Sequence, residues 1–164
     1  VATGEVVIVQ GRILDVNCRP VAGALVEIWQ ACHTGKYNHP SDPNTAALDP
    51  DFHYWGRVIS NAKGEYRFKT IIPGAYPASA NWMRPPHIHF KVTAPGRRSF
   101  TTQMYFAGNA LNDKDHILLN LTAAQRRNVI VSFDAAAGSN LLPTGVFDIT
   151  LNISGSDALT PELD

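Results

Sequence analysis

The stretch that decides the fold runs VVIVQGRIL at positions 6–14, DVNCRPVAG at 15–23 and ALVEIWQ at 24–30. The first segment is dense in Val and Ile, the last alternates apolar and polar side chains, and Pro20 and Gly23 punctuate the link. That pattern predicts strand, turn, strand, because β-branched and alternating segments fit a pleated, half-buried surface. Working outward, further strands are expected at 56–60, 65–70, 87–94, 100–106, 128–133 and 146–153. Asn61-Ala-Lys-Gly64, Pro73-Gly74, Pro95-Gly96 and Pro143-Thr-Gly145 supply the turns between them. Seven or eight short strands spaced in this way predict an all-β fold, an antiparallel β-sandwich with long loops. A short helix is expected within 113–127. One sandwich domain over 1–153 is expected to be followed by a polar tail over 154–164.

Composition narrows the function classes. The chain has 164 residues, 45% apolar and 17% charged, which is globular rather than disordered. Fourteen Lys and Arg balance fourteen Asp and Glu. A neutral chain without basic runs offers no footprint for nucleic acid or an anionic membrane, and no apolar run is long enough to span a bilayer. Cys18 lies in the first turn and Cys32 beyond the next strand, too far apart to pair, so both are expected as thiols. Thiols favour a reducing, cytoplasmic compartment, while the absence of a starting Met leaves processing and export open.

Two stretches break the strand–turn rhythm. Residues 32–54 form a long loop carrying His33, Tyr37, His39 and His53, and 73–86 holds four prolines with Tyr76, Trp82 and Arg84. Long loops inside a compact domain are usually functional, and four prolines predict a rigid one. The triplet His87-Ile88-His89 sits on a strand, where residues i and i+2 share a face, so the two imidazoles point the same way. No carboxylate follows four residues on. A zinc hydrolase would need a third ligand, and an Fe(II) oxygenase would need a carboxylate. The polar candidates in the two loops are tyrosines, whose phenolates only a strong Lewis acid such as Fe(III) holds ionised at neutral pH.

Seven motifs occur in order: PVAGALVEIWQ at 20–30, GKY at 35–37, LDPDF at 48–52, YWGR at 54–57, TIIPGAYP at 70–77, RPPHIHF at 84–90 and TQMYF at 102–106. Together they resemble the intradiol ring-cleavage dioxygenases, more closely the protocatechuate 3,4-dioxygenase branch than the catechol branch. The resemblance implies one non-haem Fe(III) per chain, held by Tyr37, Tyr76, His87 and His89. It implies that Tyr76 is the axial ligand displaced by catecholate, with His89 opposite. Arg84 matches the arginine beside the iron and Gln103 the glutamine lining the substrate pocket; Tyr105 shares its strand face with Gln103 and is a further substrate contact. The implied reaction inserts both atoms of O2 into a catechol-type substrate, cleaving between the hydroxyls to a muconate-type diacid. The expected partners are therefore a catecholic small molecule and O2, and a homo-oligomer is compatible with the sequence.

The departures from the family pattern concern substrate and assembly. The helical dimerisation region of the catechol branch is not expected ahead of the first strand, and Ala78-Ser79-Ala80 replaces an aromatic-and-basic pair that shapes the protocatechuate pocket. The protocatechuate enzymes also use two unlike chains. His33 and His116 are expected on the surface, His39 as a neighbour of the ligands and His53 at the pocket border; Trp29 and Trp55 are expected in the core. Cys32 is given no catalytic role. A non-catalytic, transthyretin-like β-sandwich module is the competing reading, since the first 30 residues alone would suit it, and a metal hydrolase is a third.

Overall fold

The strand Val6–Leu14 (β1) anchors the first sheet of the computed structural model, which describes residues 1–135, 140–151 and 159–164. It is followed by β2 (Leu25–Trp29), β3 (Trp55–Ile59), β4 (Glu65–Ile71), β5 (Tyr76–Ser79), β6 (Trp82–Arg84), β7 (His87–Thr93) and β8 (Phe100–Phe106). A 3-10 turn (Ala110–Lys114) and helices α1 (His116–Leu119) and α2 (Ala123–Val129) lead to β9 (Ile130–Val131), β10 (Thr144–Val146) and β11 (Ile149–Thr150). β1 pairs antiparallel with β4 from Val6↔Ile71 to Arg12↔Glu65. On its other edge it pairs in parallel with β10 and β11. The second sheet has the order β3-β2-β7-β8-β9, antiparallel except for the short parallel β8–β9 pair.

The sandwich closes because each strand sends its apolar set inward. Val9 and Ile13 of β1 meet Val26 of β2, Ile88, Phe90 and Val92 of β7 and Met104 of β8, all fully buried. Phe90 and Phe147 pack edge to face at 5.0 Å. Burying one such side chain is worth about 1.5–3 kcal/mol. The period of two then has a consequence for the site. If Ile88, Phe90 and Val92 face the core, His87 and His89 must face outward, onto the sheet surface covered by the loops.

The all-β sandwich expectation holds, with local differences. The expected strand at 128–133 shortens to Ile130–Val131 because α2 runs to Val129, under a Thr122/Gln125 capping box. The strand expected at 146–153 appears as β10 and β11, with 152–153 outside the described residues. Part of the 73–86 stretch is a hairpin, β5 with β6. Pro77 is tolerated there because such a two-stranded ribbon has free edges. In the expected polar tail, 159–164 lies along β8: Leu163 N donates to Thr101 O, and Thr102 Oγ1 to Pro161 O. Polar composition does not disclose that Thr160 and Leu163 are buried. Trp55 corrects another expectation, being 50% exposed on edge strand β3. Both cysteines are free, and among the described residues no helix is long and apolar enough to cross a membrane.

Candidate metal centre

His87 and His89 are presented by a strand paired on both sides, so their backbone is rigid. His87 Nδ1 lies 2.7 Å from Pro85 O, a contact that places the ring proton on Nδ1 and leaves Nε2 as the acceptor atom of the ring. The His89 ring lies flat against Trp29, 4.9 Å between centroids and 4° from parallel. The two Nε2 atoms are 3.2 Å apart. Burial, then Arg84, then the other histidine hold His87 well below the usual imidazole range. Burial and then Arg84 lower His89 to about 3. Both rings are therefore neutral, the form that can ligate a metal.

The tyrosines arrive through a contact of two loops. Cys32 O accepts from Gly35 N at 3.0 Å and from Gly74 N at 2.9 Å, so the backbones of both loops meet at one carbonyl. Gly35 has φ +80°, and a Cβ there would lie 2.1 Å from Ala75 O; one on Gly74 would lie 2.4 Å from Gly35 N. Only glycine permits this approach and this dihedral. The result sets Tyr37 edge-on to Tyr76, ring centroids 5.0 Å apart. Asp42 fixes the first loop, its Oδ2 accepting from Tyr37 N at 2.5 Å. Tyr37 OH then stands 3.4 Å from His87 Nε2 and 3.3 Å from His89 Nε2. The Tyr76 ring lies 5.5 Å from that of His87.

Three lone-pair atoms thus form a triangle with edges of 3.2–3.4 Å. Donors sharing one ion through bonds of about 2.1 Å leave such edges between them. Burial and then Tyr76 push the Tyr37 phenol well above its ordinary value. The protein alone therefore keeps Tyr37 neutral, and an ionised Tyr37 requires a strong cation at the centre of the triangle. Two neutral imidazoles with two tyrosines suit a hard, highly charged metal ion. Among the described residues no three His, Cys, Asp or Glu side chains cluster as a metal site.

Behind His87 lies a closed network around Arg84. Its Nη1 is 3.3 Å from His87 Nε2, Nε donates to Asp115 Oδ1 at 3.1 Å, and Nη2 donates to Gln103 Oε1 and Tyr105 OH, each at 2.8 Å. Gln103 and Tyr105, expected to contact substrate, are both fully buried; Tyr105 OH donates to Gln103 Oε1, and both accept from Arg84. The open cleft, about 390 Å³, is on the other side of the histidine pair, where Trp29, Tyr37, His39, Asp42, Tyr76 and His89 line it. His39 thus borders the cleft, while His53 lines a separate one of about 380 Å³ with Phe52 and Phe68. His33 is exposed, and exposed His116 stacks on Trp82 at 4.5 Å. Sequence reasoning missed Asp115; its one signal was an Asp placed to cap the helix beginning at His116.

The dioxygenase family model matches residues 1–153. The beta chain of protocatechuate 3,4-dioxygenase from Burkholderia cepacia is 42% identical, over 97% of this chain and 68% of the relative. Catechol 1,2-dioxygenase 2 from Acinetobacter lwoffii is 31% identical over 65% of this chain, and the match spans 42% of that enzyme. Among solved structures, the dioxygenase domain of a carbohydrate-binding fusion from Streptomyces sp. SirexAA-E superimposes with TM-score 0.68 and 30% identity, covering 92% of this chain and 81% of that one. Catechol 1,2-dioxygenase from Pseudomonas arvilla C-1 gives 0.71 and 27%, covering 92% and 53% respectively. The chain thus spans about two thirds of the first relative and about half or less of the catechol enzymes.

Proposed function

The chain belongs to the intradiol ring-cleavage dioxygenase family, a family of oxidoreductases, and from that premise we propose that it cleaves catechols between their hydroxyls with one non-haem Fe(III) per chain. The observation that carries this reading is the triangle of Tyr37 OH, His87 Nε2 and His89 Nε2, with Tyr76 beside it. Tyr37, Tyr76, His87 and His89 are the four protein donors. Bound Fe(III) supplies Lewis acidity that draws electron density from a bound catecholate and readies the ring for O2.

The chain's own residues do the rest. Tyr76 Oη would accept one catechol proton when the substrate binds. Arg84 Nη1, aimed past His87, steadies the negative charge that grows as the ring opens, and its burial makes that attraction stronger than it would be in water. Trp29, flat on His89, keeps that ligand's ring in one orientation. O2 ends with both atoms in the product, a cis,cis-muconate-type diacid.

Oxygen uptake with catechol, protocatechuate and hydroxyquinol, product identification and metal analysis test the proposal together. The expected result is a red to burgundy protein with about one iron per chain, consuming one O2 per ring cleaved. Colourless, zinc-containing protein after growth in iron-replete medium would refute it, as would products cleaved outside the two hydroxyls.

A further inference from the structure

Among the described residues Arg84 is the one buried Lys or Arg, and its donors are shared out unevenly. Nε and Nη2 are committed to Asp115, Gln103 and Tyr105. Nη1 is the nitrogen that turns toward the metal donors, 3.3 Å from His87 Nε2. Asp115 makes the difference between these ends. It is 0% exposed, meets Nε at 3.1 Å and Nη2 at 3.4 Å, and so grips the guanidinium from the side opposite His87. The Trp82 ring covers the same guanidinium at 5.4 Å and is itself backed by His116, the residue after Asp115.

Stability does not account for this arrangement. Stripping water from a carboxylate and a guanidinium costs about as much as their attraction returns, and apolar side chains of similar size often serve the fold as well. The requirement comes from the site. A planar fork held at two nitrogens can point in one direction only. An unpaired guanidinium beside a highly charged metal ion would also repel it.

We propose that Asp115 is the positioning residue of this centre: it aims Arg84 Nη1 at the metal donors and neutralises the guanidinium so that a cation can sit beside the metal. The proposal rests on the Fe(III) dioxygenase reading. Asp115 also caps α1, Oδ2 accepting from Leu118 N at 3.2 Å. Asn caps as well as Asp, so Asp115→Asn removes the charge and keeps the cap.

The test is a double-mutant cycle of Asp115→Asn with Arg84→Gln in the iron-loaded protein, reading kcat, KM and the rate of iron loss to a chelator. Asp115→Asn alone should lower kcat about 10–100-fold at nearly constant KM and release iron about tenfold faster. In the Arg84→Gln background it should leave kcat unchanged, because the group through which it aims is gone. An equal loss of kcat in both backgrounds, or iron release unchanged by Asp115→Asn, would overturn the proposal. Should Asp115→Asn not fold, Asp115→Glu keeps the charge and shifts the carboxylate by one methylene. It should lower kcat at constant KM with wild-type colour, and wild-type kcat in that variant would overturn the aiming role. A wild-type protein that holds iron yet opens no catechol would refute the functional reading instead, leaving the iron-release comparison to judge Asp115.

Discussion

Gly35→Ala should destroy the metal centre without touching a ligand. The new Cβ would sit 2.1 Å from Ala75 O, the residue before Tyr76. Ordinary C···O contacts need about 3.3 Å, so the two loops must part by roughly 1 Å. Coordination tolerates deviations of about 0.2 Å. Since Gly35 leads to Tyr37 and Ala75 to Tyr76, the separation falls on the very pair proposed to share one ion. The left-handed dihedral adds about 1–2 kcal/mol. Loss of the hydrogen bonds from Gly35 N and Gly74 N to Cys32 O adds about 1 kcal/mol each, so about 3–4 kcal/mol of stability should be lost in all.

Urea unfolding measures that loss, and metal analysis with visible absorbance measures the site. Gly96→Ala is the control, because Gly96 has φ +69° but nothing within 4 Å of the added Cβ. The control should lose only the dihedral contribution and keep full iron and colour. If Gly35→Ala kept wild-type iron and absorbance, the loop contact would not be what sets the tyrosines, and the argument would fail.

His87→Ala and His89→Ala should each yield colourless protein by absorbance and metal analysis, since either removes one of the four proposed protein donors. Tyr76→Phe should retain some iron with a shifted absorption band and bind catechol much more slowly in stopped-flow; normal turnover would end the proton-accepting role. Arg84→Ala should keep colour and substrate binding but lose about 10²–10³ in kcat, the usual cost of removing a preorganised charge stabiliser. Among substrates, protocatechuate should be accepted without strong preference over catechol or an alkylated catechol. Lys36, beside the cleft, is already committed to Asn44 O at 2.7 Å and Asp42 O at 3.3 Å, so a ring carboxylate finds no ready partner there. A preference above about 10³-fold in kcat/KM would show that another residue or a partner chain supplies that contact.

The sheet was legible because period two is written directly into β7: Ile88, Phe90 and Val92 had to share a face, which left His87 and His89 to share the other. The extents of β1 and β8 were legible for the same reason, bounded by turns that a sequence announces. Strand direction was not. Nothing in 144–150 says that the chain returns parallel to β1, because pairing partners are set by contacts far apart in sequence. The four residues proposed as ligands were legible as residue types in a known order, whereas the contacts that support them were not. Asp115 lies 31 residues after Arg84, and at such a spacing a short Asp–His pair reads as nothing more than a helix start.

That difference follows from how the centre is held. A metal site with donors from one strand and two loops needs its loops fixed as firmly as its strand, and loops lack a ladder of hydrogen bonds. Here the first loop is fixed by backbone contact at Gly35 and Gly74 and by a carboxylate on Tyr37 N. The second is fixed by the β5–β6 hairpin, where Tyr76 pairs with Arg84 across the ribbon. That register couples two roles: a shift that moved Tyr76 would also move Arg84, and Arg84 is tethered to Asp115 beneath α1. The helices after β8, peripheral to the sandwich, are thereby tied to the tyrosine beside the metal donors. Substitutions in 110–120 that loosen the Asp115 cap should consequently be felt at Tyr76 through Arg84, as well as at Leu118, which the same carboxylate caps.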